Sequence, residues 1–236
     1  MFIRNLIAMV FPFIPYTTKL QHCGFKLTRM FSAVTSGSDL KRIVNMAKIT
    51  VLVDMDGVIA DFDTRALEIL QQRLPSWDIM PRSEISRFPL AANFKKSSHK
   101  AKIRSMFLEE GFFASLPPIP GAINALKEMH AHPSLDVFIC SAPIATSTFC
   151  ASEKMGWVKE HLGQEWVRRT ILTSDKSLVR GDILIDDAPE AKAAAMPPSW
   201  EHVYFTQPYN KELQGKRRIL CWDQWRHVIL NTSEHS

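Results

Sequence analysis

From residue 51 onward two hydrophobic patterns alternate along the chain. Short apolar runs end abruptly in polar residues: Val51-Leu52-Val53, Val137-Phe138-Ile139-Cys140 at the end of Asp136–Cys140, Thr170–Leu172, Ile183-Leu184-Ile185, and Val203-Tyr204-Phe205 within His202–Thr206. Runs this short, apolar at successive positions, read as strands buried on both faces, the kind that build parallel sheets. Between them lie segments with helical spacing. Ile59–Leu74 places Ala60, Phe62, Ala66, Leu67 and Leu70 on one face, and Pro75 stops it; Ala122–Ala131, Thr148–Leu162 and Trp222–Leu230 follow.

Strands that alternate with helices predict an α/β fold: a Rossmann-like parallel sheet flanked by helices, with right-handed crossovers. Residues 75–116 break the alternation. They are aromatic, basic and punctuated by proline, with one helical stretch at Lys100–Glu110, and they predict a small helical cap inserted after the first strand. Such a lid excludes water and reads a substrate; equally, its aromatics serve as the insertion's own core. The expected core domain is then 46–74 together with 117–236.

Residues 1–45 differ in composition from the rest. The chain has 236 residues, with 29 basic and 24 acidic; the first 45 hold six basic residues and one acid, which leaves 23 of each in the remainder. The body is therefore balanced, and nothing points to a nucleic-acid-binding face. An acid-poor, hydroxyl-rich leader with scattered arginines and lysines suits a mitochondrial transit peptide. Two other readings are a secretory signal built on Leu6–Ile14, interrupted by Pro12, and an alternative leader ahead of a start or processing point near Met46, which would leave a cytosolic protein. The apolar run falls short of the roughly 20 residues of a membrane span. Cys23, Cys140, Cys150 and Cys221 have neither zinc nor CxxC spacing, as expected for reduced thiols.

The chemistry collects where the strands end. The first run passes into Asp54-Met55-Asp56-Gly57. The edge of an open α/β sheet at its strands' C-terminal ends is where ligands bind. Two carboxylates there repel unless a cation lies between them, and Mg²⁺, a hard ion that takes carboxylates together with phosphate oxygens, fits. A solvated Asp-Gly turn is the competing reading, while an EF-hand fails because its first ligand position would fall on Leu52. The later strands supply company for the aspartates: Ser141 after the second, Thr173-Ser174-Asp175-Lys176 after the third, Asp186-Asp187 after the fourth. Carboxylates, a hydroxyl and a lysine at one edge suit a phosphate monoester.

These residues carry a resemblance. Asp54-Met55-Asp56-Gly57-Val58 with Ser141, Lys176 and Asp186-Asp187 resembles the four-part pattern of the haloacid dehalogenase-like phosphatases. Gly111-Phe112-Phe113, Pro118-Ile119-Pro120-Gly121-Ala122 and Pro198-Ser199-Trp200-Glu201-His202-Val203 are similar to the 5′(3′)-deoxyribonucleotidases within them. The resemblance implies Asp54 as nucleophile and Asp56 as general acid and base. It implies Mg²⁺ held by Asp54, the backbone carbonyl of Asp56 and Asp187, with Asp186 behind them. It also implies Ser141 and Lys176 on the phosphate, Phe62, Phe88 and Phe107 on the base, and a homodimer. The expected substrates are deoxyribonucleoside monophosphates with uracil or thymine, phosphorylated at 5′ and also at 2′ or 3′. The chain departs from the family pattern at Ala142, Ser174, Pro89 and the neutral run Ile144-Ala145-Thr146. Two rival readings remain: the same chemistry on a sugar phosphate, and a ligand-binding module that has kept the fold without catalysis.

Overall fold

The computed structural model describes residues 48–190 and 197–230. The leader 1–45 and Met46 lie outside the described residues. Six strands form one sheet in the order β3-β2-β1-β4-β5-β6, every neighbouring pair parallel: β1 Ile49–Val53, β2 Leu135–Ser141, β3 Thr170–Leu172, β4 Ile183–Asp186, β5 Glu201–Phe205 and β6 Arg218–Ile219. The α-helices are α1 Phe62–Arg73, α2 Ser97–Met106, α3 Ala122–Ala131, α4 Cys150–Leu162, α5 Gln164–Val167 and α6 Trp225–Leu230.

The unbroken apolar run Val51–Val53 of β1 follows from its position. Val51 lies between Val137 of β2 and Ile183 of β4. Successive side chains on a strand point to opposite faces, and the core divides accordingly. Val51, Val53, Val137, Ile139, Ile183 and Ile185 join the larger cluster, while Leu52, Cys140 and Leu184 pack with Trp200 on the other face. Both faces are covered from Val51 to Val53, which leaves no place there for a polar residue; Thr50, nearer the strand's start, is only partly buried.

Strand order reverses at β1. β2 and β3 lie on one side, β4 to β6 on the other, and the crevice beyond β1 and β4 is the switch point at which open α/β sheets bind ligands.

The first helix begins three residues later than its apolar spacing predicts. After Asp54 the chain winds into a tight turn in which Ile59 and Ala60 both donate to the Met55 carbonyl at 2.9 Å. Asp61 then caps α1, accepting from the Thr64 amide and hydroxyl. Val58, Ile59 and Ala60 are apolar because this turn is fully buried. The turn also ties the two ends of the following segment together: Asp61 N donates to Pro117 O and Ile119 N to Ile59 O, each at 2.8 Å. Between them lie α2, which spans 97–106 where the sequence predicts 100–110, and two short 3₁₀ turns. Helix α4 grips this segment from the core side. Its Glu153 accepts from the amides of Gly111, Phe113 and Ala114, and its Trp157 donates to Leu116 O at 2.7 Å. Among the described residues no helix is long and apolar enough to cross a membrane.

Candidate active site

Four strand ends deliver polar side chains to one place. Asp54 follows β1, Ser141 ends β2, Lys176 follows β3, and Asp186-Asp187 end β4. Asp54, Ser141, Asp186 and Asp187 are all buried. Oxygens of Asp54, Asp186 and Asp187 lie within 4.8 Å of one another. Three buried carboxylates this close carry a heavy like-charge load. Burial raises the Asp187 carboxyl well above the usual range, Asp186 and Asp54 add to the rise, and the Tyr209 hydroxyl works against it. Asp186 is also raised, first by burial and then by Asp54, with Lys176 opposing.

The set fits a hard divalent cation. Oδ1 of Asp54 is buried, and its partner is the Lys176 ammonium, in an ion pair at 2.9 Å. Asp186, by contrast, has both oxygens engaged, one by Lys176 at 2.6 Å and one by the Ala188 amide at 2.8 Å. It is built into the protein's own bonding behind Asp54 and Asp187, which leaves those two better placed as ligands. Burial works to lower the Lys176 pKa, but Asp54 and Asp186 outweigh it and hold the ammonium above its ordinary range.

Asp56 is occupied differently. One oxygen accepts from Lys154 Nζ at 2.6 Å, and the other is buried and unpartnered. Burial raises the Asp56 carboxyl, Lys154 lowers it, and Asp54 raises it again, leaving a net rise. Lys154 is the residue that the sequence reading missed. It is completely buried, donates to Ser141 Oγ at 3.0 Å as well as to Asp56, and lies 5.1 Å from the centre of the Phe113 ring. Its signal was present in the pattern: Cys150, Lys154, Trp157, Val158 and Leu162 form the buried face of α4, and a lysine within an apolar stripe needs a reason to be there.

Beyond the charged cluster opens a cavity of about 390 Å³ lined by Phe62, Phe88, Pro89, Leu90, Phe107, Phe113 and Tyr209 among others. Phe62 and Phe107 pack with ring centres 4.8 Å apart, and Phe112 and Phe113 lie behind them. Phe88 is 48% exposed at the rim, and its ring centre is 5.4 Å from that of Tyr209. All nine side chains singled out in the sequence as candidates, including the three aromatics, line this one cavity. Asp63 and Tyr209, which the sequence reading did not single out, line it too. Burial pushes Asp63 up to about 6 against the pull of Arg82, and Asp61 and Asp56 add to the rise.

Gly57 shows how tightly the carboxylates are enclosed. Its φ is +72°, and a Cβ there would overlap the Asp187 carboxylate, with Cγ at 2.9 Å. Gly57→Ala therefore adds backbone strain of about 1–2 kcal/mol and displaces Asp187. The expected result is a melting temperature lowered by several degrees together with at least tenfold weaker binding of Mg²⁺ offered to the substrate-free protein. Thermal melts and a Mg²⁺ titration check the two effects separately.

Comparison with known proteins gives this arrangement a lineage. Residues 47–234 match a family described as the deoxy (pyrimidine) 5′-nucleotidase, cytosolic type C protein. The human cytosolic-type 5′(3′)-deoxyribonucleotidase is 40% identical over 187 residues, covering 77% of this chain and 93% of the relative. The human mitochondrial 5′(3′)-deoxyribonucleotidase is 37% identical over 187 residues, covering 77% and 82%. In fold, the chain is similar to a predicted phosphatase from Clostridium acetobutylicum, with a TM-score of 0.52 at 13% identity over 78% of this chain and 99% of that one. The chain thus belongs to the 5′(3′)-deoxyribonucleotidase family, built on the haloacid dehalogenase-like fold.

Proposed function

We propose that the protein is a Mg²⁺-dependent phosphomonoesterase that hydrolyses deoxyribonucleoside monophosphates, dUMP and dTMP foremost, through an aspartyl-phosphate. The observation that carries this reading is a single cavity with carboxylates and Lys176 at its floor, Lys154 buried behind Asp56 and Ser141, and aromatic rings along its walls. Asp54 and Asp187, with the Asp56 carbonyl, are the residues that would hold the cation. When bound, Mg²⁺ neutralises the phosphate dianion and the carboxylates around it.

Asp54 attacks phosphorus, and the bond from phosphorus to the ribose oxygen breaks. Asp56, whose raised pKa favours the protonated form, gives its proton to the departing oxygen. The resulting carboxylate then takes a proton from water as that water attacks the phosphorus of the aspartyl-phosphate, releasing phosphate and restoring Asp54. Lys176 and Ser141 bind the equatorial oxygens, where charge spreads in the transition state, and Lys154 supports Ser141 and Asp56 from behind. Phe62, Phe88 and Phe107 hold the flat base. The leader's composition supports a mitochondrial location, with a cytosolic form beginning near Met46 as the alternative, and a homodimer is carried over from the family resemblance.

Phosphate release from dUMP, dTMP, AMP and a sugar phosphate, each with and without Mg²⁺, tests this reading. An aromatic slot is worth about 1–1.5 kcal/mol per good ring contact. The pyrimidine nucleotides are therefore expected to exceed the sugar phosphate in kcat/KM by about tenfold or more. Equal kcat/KM for dUMP and the sugar phosphate overturns the assignment of the slot.

A further inference from the structure

The loop after β5 touches both halves of the site. It is anchored from below by Asn210, whose side-chain amide donates to the Asp187 carbonyl at 2.8 Å and to the Phe205 carbonyl at 2.9 Å. Gln207 joins it to the rest of the site, donating to Gly57 O at 2.6 Å and accepting from Arg82 at 2.6 Å. On this fixed base stands Tyr209. Its hydroxyl donates to Oδ2 of Asp187, and its ring lies against Phe88 in the cavity wall.

We propose that Tyr209 is a positioning residue with two separable functions: its hydroxyl orients the Asp187 carboxylate for the divalent cation, and its ring braces Phe88 as the outer wall of the base slot. The inference rests on Asp187 being a cation ligand, as proposed above. A donor fixed on one oxygen of a carboxylate sets the plane in which the other is presented, and supports of this kind are worth about 10–100-fold in metal affinity. Tyr209 suits the task because it is partly buried in the cavity wall and its loop is held by the backbone of Asp187 itself, so ligand and support are fixed relative to each other. Phe88, by contrast, is half exposed, and its ring centre lies 5.4 Å from that of Tyr209, the one aromatic ring found against it among the described residues. A slot wall without that brace would be free to swing into solvent.

Two substitutions separate the functions. Tyr209→Phe removes only the oxygen, and Tyr209→Leu removes the ring as well. Mn²⁺ binding to the substrate-free protein, followed by electron paramagnetic resonance, is expected to weaken about tenfold or more in both variants. KM for dUMP at saturating Mg²⁺ is expected to stay within twofold for Tyr209→Phe and to rise at least fivefold for Tyr209→Leu. A purely structural role would lower the melting temperature and leave Mn²⁺ affinity unchanged. Asp187→Asn is the reference. If it abolishes Mn²⁺ binding while Tyr209→Phe binds within twofold of the unmodified protein, the hydroxyl's role is overturned and the site reading stands. If Asp187→Asn binds Mn²⁺ normally, both fall. Equal KM values for the two Tyr209 variants overturn the role of the ring.

Discussion

Asp54→Asn is expected to lower kcat for dUMP by about 10⁴-fold or more, equivalent to roughly 5.5 kcal/mol of transition-state stabilisation. An amide of the same shape neither attacks phosphorus nor contributes a charged oxygen to the cation. The loss should appear in kcat, because the aromatic slot is untouched and still holds the nucleoside. The fold has little reason to fail. Asn fills the same volume, the backbone N–H of residue 54 keeps its 2.9 Å bond to Ile185 O, and Lys176 keeps Asp186. A melt in the presence of EDTA that matches the unmodified protein, alongside a dead enzyme, is the expected pair of results. If the asparagine variant retains activity within tenfold of the original, Asp54 is not the nucleophile.

The contrast between what the sequence reveals and what it hides has a physical origin. The four inner strands are legible because a strand buried on both faces has no tolerance for polar residues: Val51, Leu52 and Val53 are apolar in succession for that reason alone. The edge strand β6 is two residues long, Arg218 and Ile219, with one side chain half exposed, and no periodicity can emerge from so little. The start of α1 is misread because burial and helical spacing look alike locally. Val58, Ile59 and Ala60 are apolar to fill a turn, whereas Asp61, a good capping residue, marks the true beginning.

In the site the same logic applies. Asp54, Ser141, Lys176 and Asp187 follow strands, and a strand end announces its position. Tyr209 and Asp63 lack that signpost. One sits in a loop whose course depends on side-chain bonds from Asn210 and Gln207. The other sits in the first turn of α1, where an acidic residue is ordinary near the helix dipole. Lys154 was accessible to a stricter reading of α4, because only the helix face, never the local sequence, distinguishes a buried lysine from a solvated one.

Lys154→Met should also be strongly damaging, though less than loss of the nucleophile, and by a different route. Methionine fills the volume and removes the charge. The Lys154 ammonium bridges Asp56 at 2.6 Å and Ser141 at 3.0 Å, so the change takes a buried positive charge from behind the cavity floor and a partner from Asp56, the proposed general acid, at once. Removing one preorganised electrostatic group from such a site typically costs about 10²–10³ in kcat. The pH dependence carries the more specific signature. Lys154 lowers the Asp56 pKa, against burial and Asp54, so its loss raises that pKa further. Leaving-group protonation requires the acid form, which persists to higher pH in the variant. Where that step limits the rate, the alkaline limb of the kcat profile moves upward. Stability should follow the same sign. A carboxyl whose folded pKa is raised above its unfolded value retains its proton on folding, so stability falls as pH rises between the two values. The variant's deficit is therefore expected to be smaller near pH 4, where more of the Asp56 carboxyl is protonated, than at neutral pH. It should grow to about 2–3 kcal/mol at neutral pH, toward the lower end of what breaking a buried pair costs because the Asp56 side chain is 27% exposed. Urea unfolding midpoints at pH 4 and pH 7.5, set beside the pH–rate profile, read both effects. A profile that does not move, with a deficit equal at the two pH values, would leave Lys154 as packing and remove it from the chemistry of Asp56.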